Sequence, residues 1–248
     1  MPYYLTLDVA VIHAIYFSYV HNSCTLSCLV GNDTRKAVAD GWPVQNVIAF
    51  DLRQGLSTAS SHFCFWNLHK HANSTAFWDF GHQLFKTTPE TFPAAFLVGD
   101  VFDPTFVSSR EPFSELPTTP RPTNLGSLTS LIPLQGHASA IFACSFFHLF
   151  GEDGQLELAR RLAALLSPLP GSVIFGSHVG IGEKGKRLRW GSKAEMFCHS
   201  PESWRDLWES QIFRECSIKV EARLHTVERF DPLGAPNVTF LVWSVTRL

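Results

Sequence analysis

The chain lacks a dense run of basic residues, a G-x-G-x-x-G turn, a paired set of metal-ligand motifs and an apolar stretch long enough to cross a membrane. Each absence excludes a class of function. Its 248 residues carry 20 Lys or Arg against 22 Asp or Glu, a formal net charge of −2. So even a balance, without clustering, argues against a nucleic-acid-binding protein; the basic cluster Lys184-Gly185-Lys186-Arg187-Leu188-Arg189 is short and reads as a solvated loop. Without G-x-G-x-x-G after the first strand, a nicotinamide-dependent oxidoreductase lacks its phosphate-binding turn. The six cysteines (Cys24, Cys28, Cys64, Cys144, Cys198 and Cys216) are scattered, several of them within apolar strands, where a buried thiol is the expected use. Cys24-x3-Cys28 and His69-x-His71 invite zinc, but no second pair completes four ligands, so no metal site is expected. The apolar segment 7–20 is short, is interrupted by Asp8, His13 and Ser18, and follows no basic region, so the expectation is a cytoplasmic protein without a membrane span.

What the chain does contain is two short apolar runs that each end in a carboxylate. Val47-Ile48-Ala49-Phe50 is followed by Asp51, and Ala94-Ala95-Phe96-Leu97-Val98-Gly99 by Asp100. Runs of this size read as buried strands of a parallel sheet, and open α/β sheets bind ligands at the carboxyl ends of their strands. Asp51 lies twenty residues after Gly31, the distance expected between a nucleotide-binding turn and the acidic residue that takes the ribose hydroxyls. A second carboxylate, Asp100, is suited to the amino edge of an adenine, with the Val101 amide and the Phe102 ring beside it. For either aspartate a plain turn or capping role is the competing explanation.

The remaining elements alternate strand and helix, the pattern of a doubly wound sheet. Strands are expected at about 5–15, at 47–50, 94–98, 138–144 and 172–176, and helices at 33–41, 77–85, 155–166 and 200–210. Of these, 155–166 is the most strongly periodic, with Leu156, Ala159, Leu162, Ala163 and Leu166 on one face. Ser200-Pro201-Glu202 is a good helix start. From 103 to 136 six prolines and many Ser and Thr residues predict a long loop, suited to a lid. Two last strands, 218–224 and 238–245, have no helix between them and must pair antiparallel. With length enough for a full core, the expected architecture is a single α/β domain over 1–248. Its sheet is Rossmann-like, five parallel strands plus a C-terminal antiparallel pair, with helices on both faces. That is the outline of the class I methyltransferase fold.

After the 138–144 strand comes Ser145-Phe146-Phe147-His148-Leu149-Phe150. Aromatic faces favour a cationic sulfonium, and His148 is a candidate base for an acidic acceptor proton; ordinary core packing and a structural hydrogen bond are the competing roles. The segment 136–208 resembles the C-terminal half of fungal class I methyltransferases of secondary-metabolite, meroterpenoid-type pathways. The resemblance is carried by Ser145 to Phe150, Gln155-Leu156-Glu157-Leu158-Ala159, Leu165-Leu166-Ser167, the run from Gly171 to Gly180, and His199-Ser200-Pro201-Glu202-Ser203-Trp204. Leu241-Val242-Trp243-Ser244-Val245 fits as well. It implies S-adenosylmethionine as cofactor and methyl transfer to a small hydrophobic metabolite. It also implies cofactor contacts from Gly31, Asp33, Asp51, Leu52, Asp100, Val101, Phe102, Ser145 and Phe146, and acceptor contacts from Phe147, His178 and Trp204.

The chain departs from that family's compact glycine loop. Leu7-Asp8-Val9 and Cys28-Leu29-Val30-Gly31-Asn32-Asp33 match its two ends, but an unmatched run near 10–27 separates them, and a second lies near 55–76. Both have the unpatterned composition of translated non-coding sequence and are read as retained introns, with genuine insertions as the alternative. A split glycine loop loses the close backbone approach that the methionine end of the cofactor needs. The competing reading is therefore a degenerate, non-catalytic member of the same fold.

Overall fold

The computed structural model describes residues 9–14, 19–20, 23–24, 30–51, 74–189, 193–228 and 237–248. Its strands are β1 (Val9–Ala14), β2 (Tyr19–Val20), β3 (Ser23–Cys24), β4 (Val47–Asp51), β5 (Ala95–Val98), β6 (Ala138–Cys144), β7 (Val173–Val179), β8 (Gly185–Leu188), β9 (Glu195–Cys198), β10 (Ile218–Val227) and β11 (Val238–Arg247). Four helices accompany them: α1 (Asn32–Ala39), α2 (Ser74–Leu84), α3 (Glu152–Leu165) and α4 (Pro201–Asp206). Seven strands form one sheet in the order β10-β11-β7-β6-β1-β4-β5. Pairing is parallel for β5 with β4, β4 with β1, β1 with β6 and β6 with β7. It is antiparallel for β11 with β7 and for β10 with β11. This is a Rossmann-like α/β architecture.

Strands β4 and β6 send side chains into two apolar layers, because successive residues point to opposite faces of the sheet. In β4, Ile48 and Phe50 join a cluster with Leu158 and Leu162 of α3. Val47 packs with Ala37 and Val38 of α1, and Ala49 with Trp78 of α2. Leu158, Leu162 and Leu165 are fully buried, and each contributes about 1.5–3 kcal/mol by leaving water. Gly176 of β7 stands where β7 and β6 approach closely: a Cβ on it would lie 2.0 Å from the Ala143 carbonyl oxygen of β6.

Several expectations are corrected in detail. Helix α3 begins at Glu152 rather than at Gln155; Glu152 and Asp153 suit the positive end of the helix dipole but carry no apolar signal. Helix α4 stops at Asp206 and continues as a π-helical segment, Leu207–Ile212, whose wider turn lets Leu207, Trp208 and Ile212 all reach the core. Lys184 to Arg189 is not merely a solvated loop. Gly185–Leu188 pairs as β8 with β9, and Lys186 meets Glu195 across the hairpin at 3.4 Å. The 103–136 region has the expected lack of long elements, with two 3-10 turns at Leu125–Ser127 and Ile132–Leu134. It is anchored, not an open lid: Phe106, Val107, Leu125, Leu131 and Leu134 are buried, and the Leu131 N–H donates to the Phe106 carbonyl. Of the run 10–27, residues 10–14 belong to β1, which sits at the centre of the sheet between β6 and β4. Most of the 55–76 run lies outside the described residues.

Candidate functional site

The carboxyl ends of β5, β4, β6 and β7 form one row, and the chemically distinctive residues gather there. Asp51 is the last residue of β4, and its carbonyl accepts the Gly99 N–H at 3.0 Å, so Asp100 follows just beyond the end of the neighbouring β5. One Asp100 carboxylate oxygen accepts the Phe102 N–H at 2.8 Å, closing the loop in which it stands. The turn role weighed from sequence is therefore real for Asp100, and its second oxygen has no partner among the described residues. Gly99 is needed as glycine here, because a Cβ would sit 2.2 Å from the Phe106 ring. Phe102 meets Phe150 edge-on at 4.8 Å, and Phe150 meets Phe146 at 5.4 Å, so an aromatic wall links the loop after β5 to the turn after β6.

That second turn is built around Ser145, a buried residue held in the left-handed region at φ 51°, whose N–H donates to the Ser177 carbonyl at 2.6 Å. Non-glycine residues persist in that region only when their surroundings hold them there, which happens most often at functional sites. At the opposite side stands Gly31, also left-handed at φ 73°, the N-cap of α1. The space beside its α carbon is filled by the Trp78 ring and the Arg35 guanidinium, so one face of this glycine serves packing. Asp33, in the first turn of α1, lies near enough to the Cys144 thiol to add to the upward push that burial gives its pKa. Between β1 and Gly31 only β2, β3 and Val30 are described, and the predicted cofactor residue Leu52 lies outside the described residues.

Beside this row lies a buried cage of histidines and aromatics. Phe147 meets Trp204 edge-on at 4.8 Å, Trp243 at 5.6 Å and His178 at 5.6 Å; His178 meets Trp204 at 4.7 Å, and Trp204 meets His199 at 5.3 Å. The Trp243 indole donates to His178 Nδ1 at 3.0 Å, which leaves the proton of the neutral imidazole on Nε2. His178 Nε2, His148 Nδ1, His199 Nε2, Trp204 Nε1 and Trp208 Nε1 are buried without a hydrogen-bond partner among the described residues. Unpaired buried polar atoms are costly and rare, and these five gather in one part of the core. Burial, with the Arg189 guanidinium nearby, lowers the pKa of His148 to about 3. Burial also lowers His199, to about 4, and pushes His178 well below the usual histidine range. All three imidazoles are neutral at neutral pH. His148 is thus a weak base in the free protein, since an efficient general base titrates near the working pH; as a hydrogen-bonding group it is well placed.

The structure brings together Asp51, Asp100, Val101, Phe102, Ser145, Phe146, Phe147, His148, His178 and Trp204 at one end of the sheet. Sequence reading missed Trp208, Trp243 and the role of His199, although His199 and Trp243 stood inside the segments that carry the family resemblance. The β8–β9 hairpin also belongs here. Gln155 Nε2 donates at 3.0 Å to both the Phe150 and the Phe197 carbonyls, tying the turn after β6 to β9. No group of three or more His, Cys, Asp or Glu able to hold a metal occurs among the described residues, and no helix among them is long and apolar enough to cross a membrane. The sequence-based zinc ligands Cys28, His69 and His71 lie outside those residues.

No family model matches the chain. It is similar to fungal methyltransferases of secondary metabolism over most of its length. The O-methyltransferase phiE of a fungal species is 29% identical over 203 residues, 82% of this chain and 53% of that relative. The methyltransferase adrK of Penicillium rubens is 25% identical over 220 residues, 85% of this chain and 63% of that relative. The chain thus spans between about half and two thirds of the length of the curated relatives it matches. Among solved structures, the 1,6-didemethyltoxoflavin-N1-methyltransferase of Burkholderia thailandensis, with bound 1,6-didemethyltoxoflavin and S-adenosylhomocysteine, overlays with a TM-score of 0.50. At 13% identity it covers 97% of this chain and 71% of that one, and the likeness extends to the Rossmann-like fold.

Proposed function

We propose that this chain transfers a methyl group from S-adenosylmethionine to a small hydrophobic metabolite. The observation that carries the reading is the pair of carboxylates, Asp51 and Asp100, side by side at the ends of adjacent parallel strands and next to a neutral cage of histidines and aromatics. In this reading the sheet is the class I methyltransferase arrangement, five parallel strands completed by an antiparallel C-terminal pair; the pairing of β5, β4, β1, β6 and β7, with β11 and β10 outside them, supports it.

The residues present fit the cofactor. Asp51 accepts hydrogen bonds from the ribose hydroxyls, and the second Asp100 oxygen accepts one from the adenine amino group. The Val101 N–H and the Phe102 ring serve the base, while Gly31, Asp33, Ser145 and Phe146 line the methionine side. When bound, S-adenosylmethionine supplies a methyl group already activated by its sulfonium, so in-line positioning accounts for much of the acceleration. Phe147, His178 and Trp204 hold the apolar acceptor and exclude water, and the orphaned imidazole and indole nitrogens hydrogen-bond its polar groups. His148, kept neutral by burial, serves the acceptor as a hydrogen-bonding partner. The similarity to fungal methyltransferases supports the same chemistry.

Calorimetry and thermal shift with S-adenosylhomocysteine test the reading. Binding is expected, and Asp51→Ala and Asp100→Ala should each weaken it by about 1–3 kcal/mol, the cost of removing a hydrogen-bonded partner from a buried polar contact. No heat and no thermal shift with either S-adenosylmethionine or S-adenosylhomocysteine would overturn it in favour of a non-catalytic member of the fold.

A further inference from the structure

The loop after β5 is fastened at both ends by one side chain that stands outside it. Arg161, on α3, is buried, and its Nη1 donates to the Val101 carbonyl at 3.0 Å and to the Val107 carbonyl at 2.6 Å. Its Nε donates to Glu157 one helical turn earlier, at 2.7 Å. Its guanidinium also lies 5.9 Å from the centroid of the Phe102 ring, which is held from another side by Phe150. The two Nη1 hydrogens are therefore both spent on the carbonyls that open and close the bend 101–107. Within the bend, Asp100 accepts the Phe102 N–H, and Asp103 accepts both the N–H and the hydroxyl of Thr105.

A loop carries high mobility unless its backbone polar groups are tied down. Most surface ion pairs contribute little, but this one is different in kind. The guanidinium is shielded, its carboxylate partner fixes its orientation, and both of its Nη1 donors go to backbone rather than to a second charged side chain. A planar fork that grips two carbonyls at a set separation determines the shape of the bend, and the shape of the bend determines where Asp100, the Val101 amide and Phe102 present themselves.

We propose that Arg161 is the positioning residue of the base-reading loop: by clamping the Val101 and Val107 carbonyls to α3 it holds Asp100, Val101 and Phe102 in the arrangement that distinguishes adenine from other bases. This inference rests on the S-adenosylmethionine reading above. Glu157 acts one step behind, by holding the guanidinium in its plane.

The test compares two ligands on the full chain: S-adenosylhomocysteine, and S-inosylhomocysteine, in which a carbonyl replaces the adenine amino group. The wild type should favour the adenine ligand by about tenfold or more, because the carbonyl would face a carboxylate and leave it unpaired. In Arg161→Met that preference should fall about tenfold, towards equality. Arg161→Lys should restore part of it, since an ammonium has donors enough for both carbonyls but no planar fork. A general loss of packing would lower the melting temperature without changing the ratio of the two affinities, so an unchanged ratio in a folded Arg161→Met overturns the proposal. Should Arg161→Met give no cooperative melt, Glu157→Ala decides, because Glu157 is only half-buried: a roughly threefold fall in the ratio supports the clamp, and no fall overturns it. Equal wild-type affinity for the two ligands also overturns it. If the wild type binds neither ligand, the cofactor reading itself falls, a result distinct from all of these.

Discussion

Acid should unfold this protein well above the range in which carboxylates titrate, and the buried histidine cage sets the size of the effect. His148, His178 and His199 are 6%, 0% and 2% exposed, and all three have pKa values lowered from 6.5 chiefly by burial. The geometry gives an independent reason at His178. Its Nδ1 accepts from the Trp243 indole, so a second proton there would set two donors 3.0 Å apart. In the unfolded chain each imidazole protonates near its ordinary value, whereas in the folded chain it stays neutral until a much lower pH. Between those limits the unfolded state binds more protons, and stability falls as the pH falls. The contribution is fully present above about 6.5 and is lost progressively below it. At about pH 5, His148 and His199 each cost about 2 kcal/mol, from 1.5 pH units at about 1.4 kcal/mol each. Together they give about 4 kcal/mol, to which His178 adds in the same direction, a large part of the whole stability of a typical domain. Urea denaturation between about pH 7.5 and 5 should therefore show a steep loss, with a slope approaching three protons near the acid end. His199→Gln should lower that slope by about one. A stability that is flat across this interval, or that rises towards acid, would refute the reasoning.

Two further outcomes follow from packing. Trp204→Ala removes a ring that touches Phe147, His178, His199, Trp208 and Trp243, and should destabilise the protein by about 3–5 kcal/mol in chemical denaturation; a loss below about 1 kcal/mol would mean that the cage collapses around the gap. Gly176→Ala puts a methyl group 2.0 Å from the Ala143 carbonyl oxygen, so β7 must move away from β6, and a loss of about 1–3 kcal/mol is expected, read as a lower melting temperature.

Sequence pattern revealed the parts of this fold whose burial is periodic. The run 47–50 is wholly apolar and the run 138–144 is interrupted only by Ser139, and both are strands close to the expected limits. The apolar face of α3 was equally visible, but its first turn was not, because Glu152 and Asp153 are set by the helix dipole and solvent rather than by the core. The β8–β9 hairpin escaped notice for a related reason. Strand β8 alternates half-buried and exposed positions and carries Lys186 and Arg187, which resembles a loop until β9 supplies Phe197 and Glu195 opposite Lys186 and Leu188. The anchoring of 103–136 was hidden because isolated Leu and Phe residues among prolines have no period; only the fold reveals that Phe106, Leu131 and Leu134 meet in the core.

The candidate site divides in the same way. Asp51 and Asp100 were legible because a carboxylate that ends a buried run has few reasons to be there. Arg161 was not, because an arginine four residues after a glutamate on a helix is the commonest surface pair, and nothing local tells it from Arg160, its half-buried neighbour that also pairs with Glu157. What separates them is the direction of each side chain around the helix. One reaches water, and the other reaches two carbonyls of a loop some sixty positions earlier in the chain. A residue whose role is to shape another segment leaves its trace in that segment's backbone, not in its own sequence neighbourhood. The histidine cage follows the same logic, since His148, His178, His199 and Trp243 come from four separate elements and become a site only when β6, β7 and β11 lie side by side. On the proposed reading, the cage nitrogens that are unpaired among the described residues call for an acceptor with polar groups of its own, which makes that side of the site more demanding of its ligand than an apolar pocket would be.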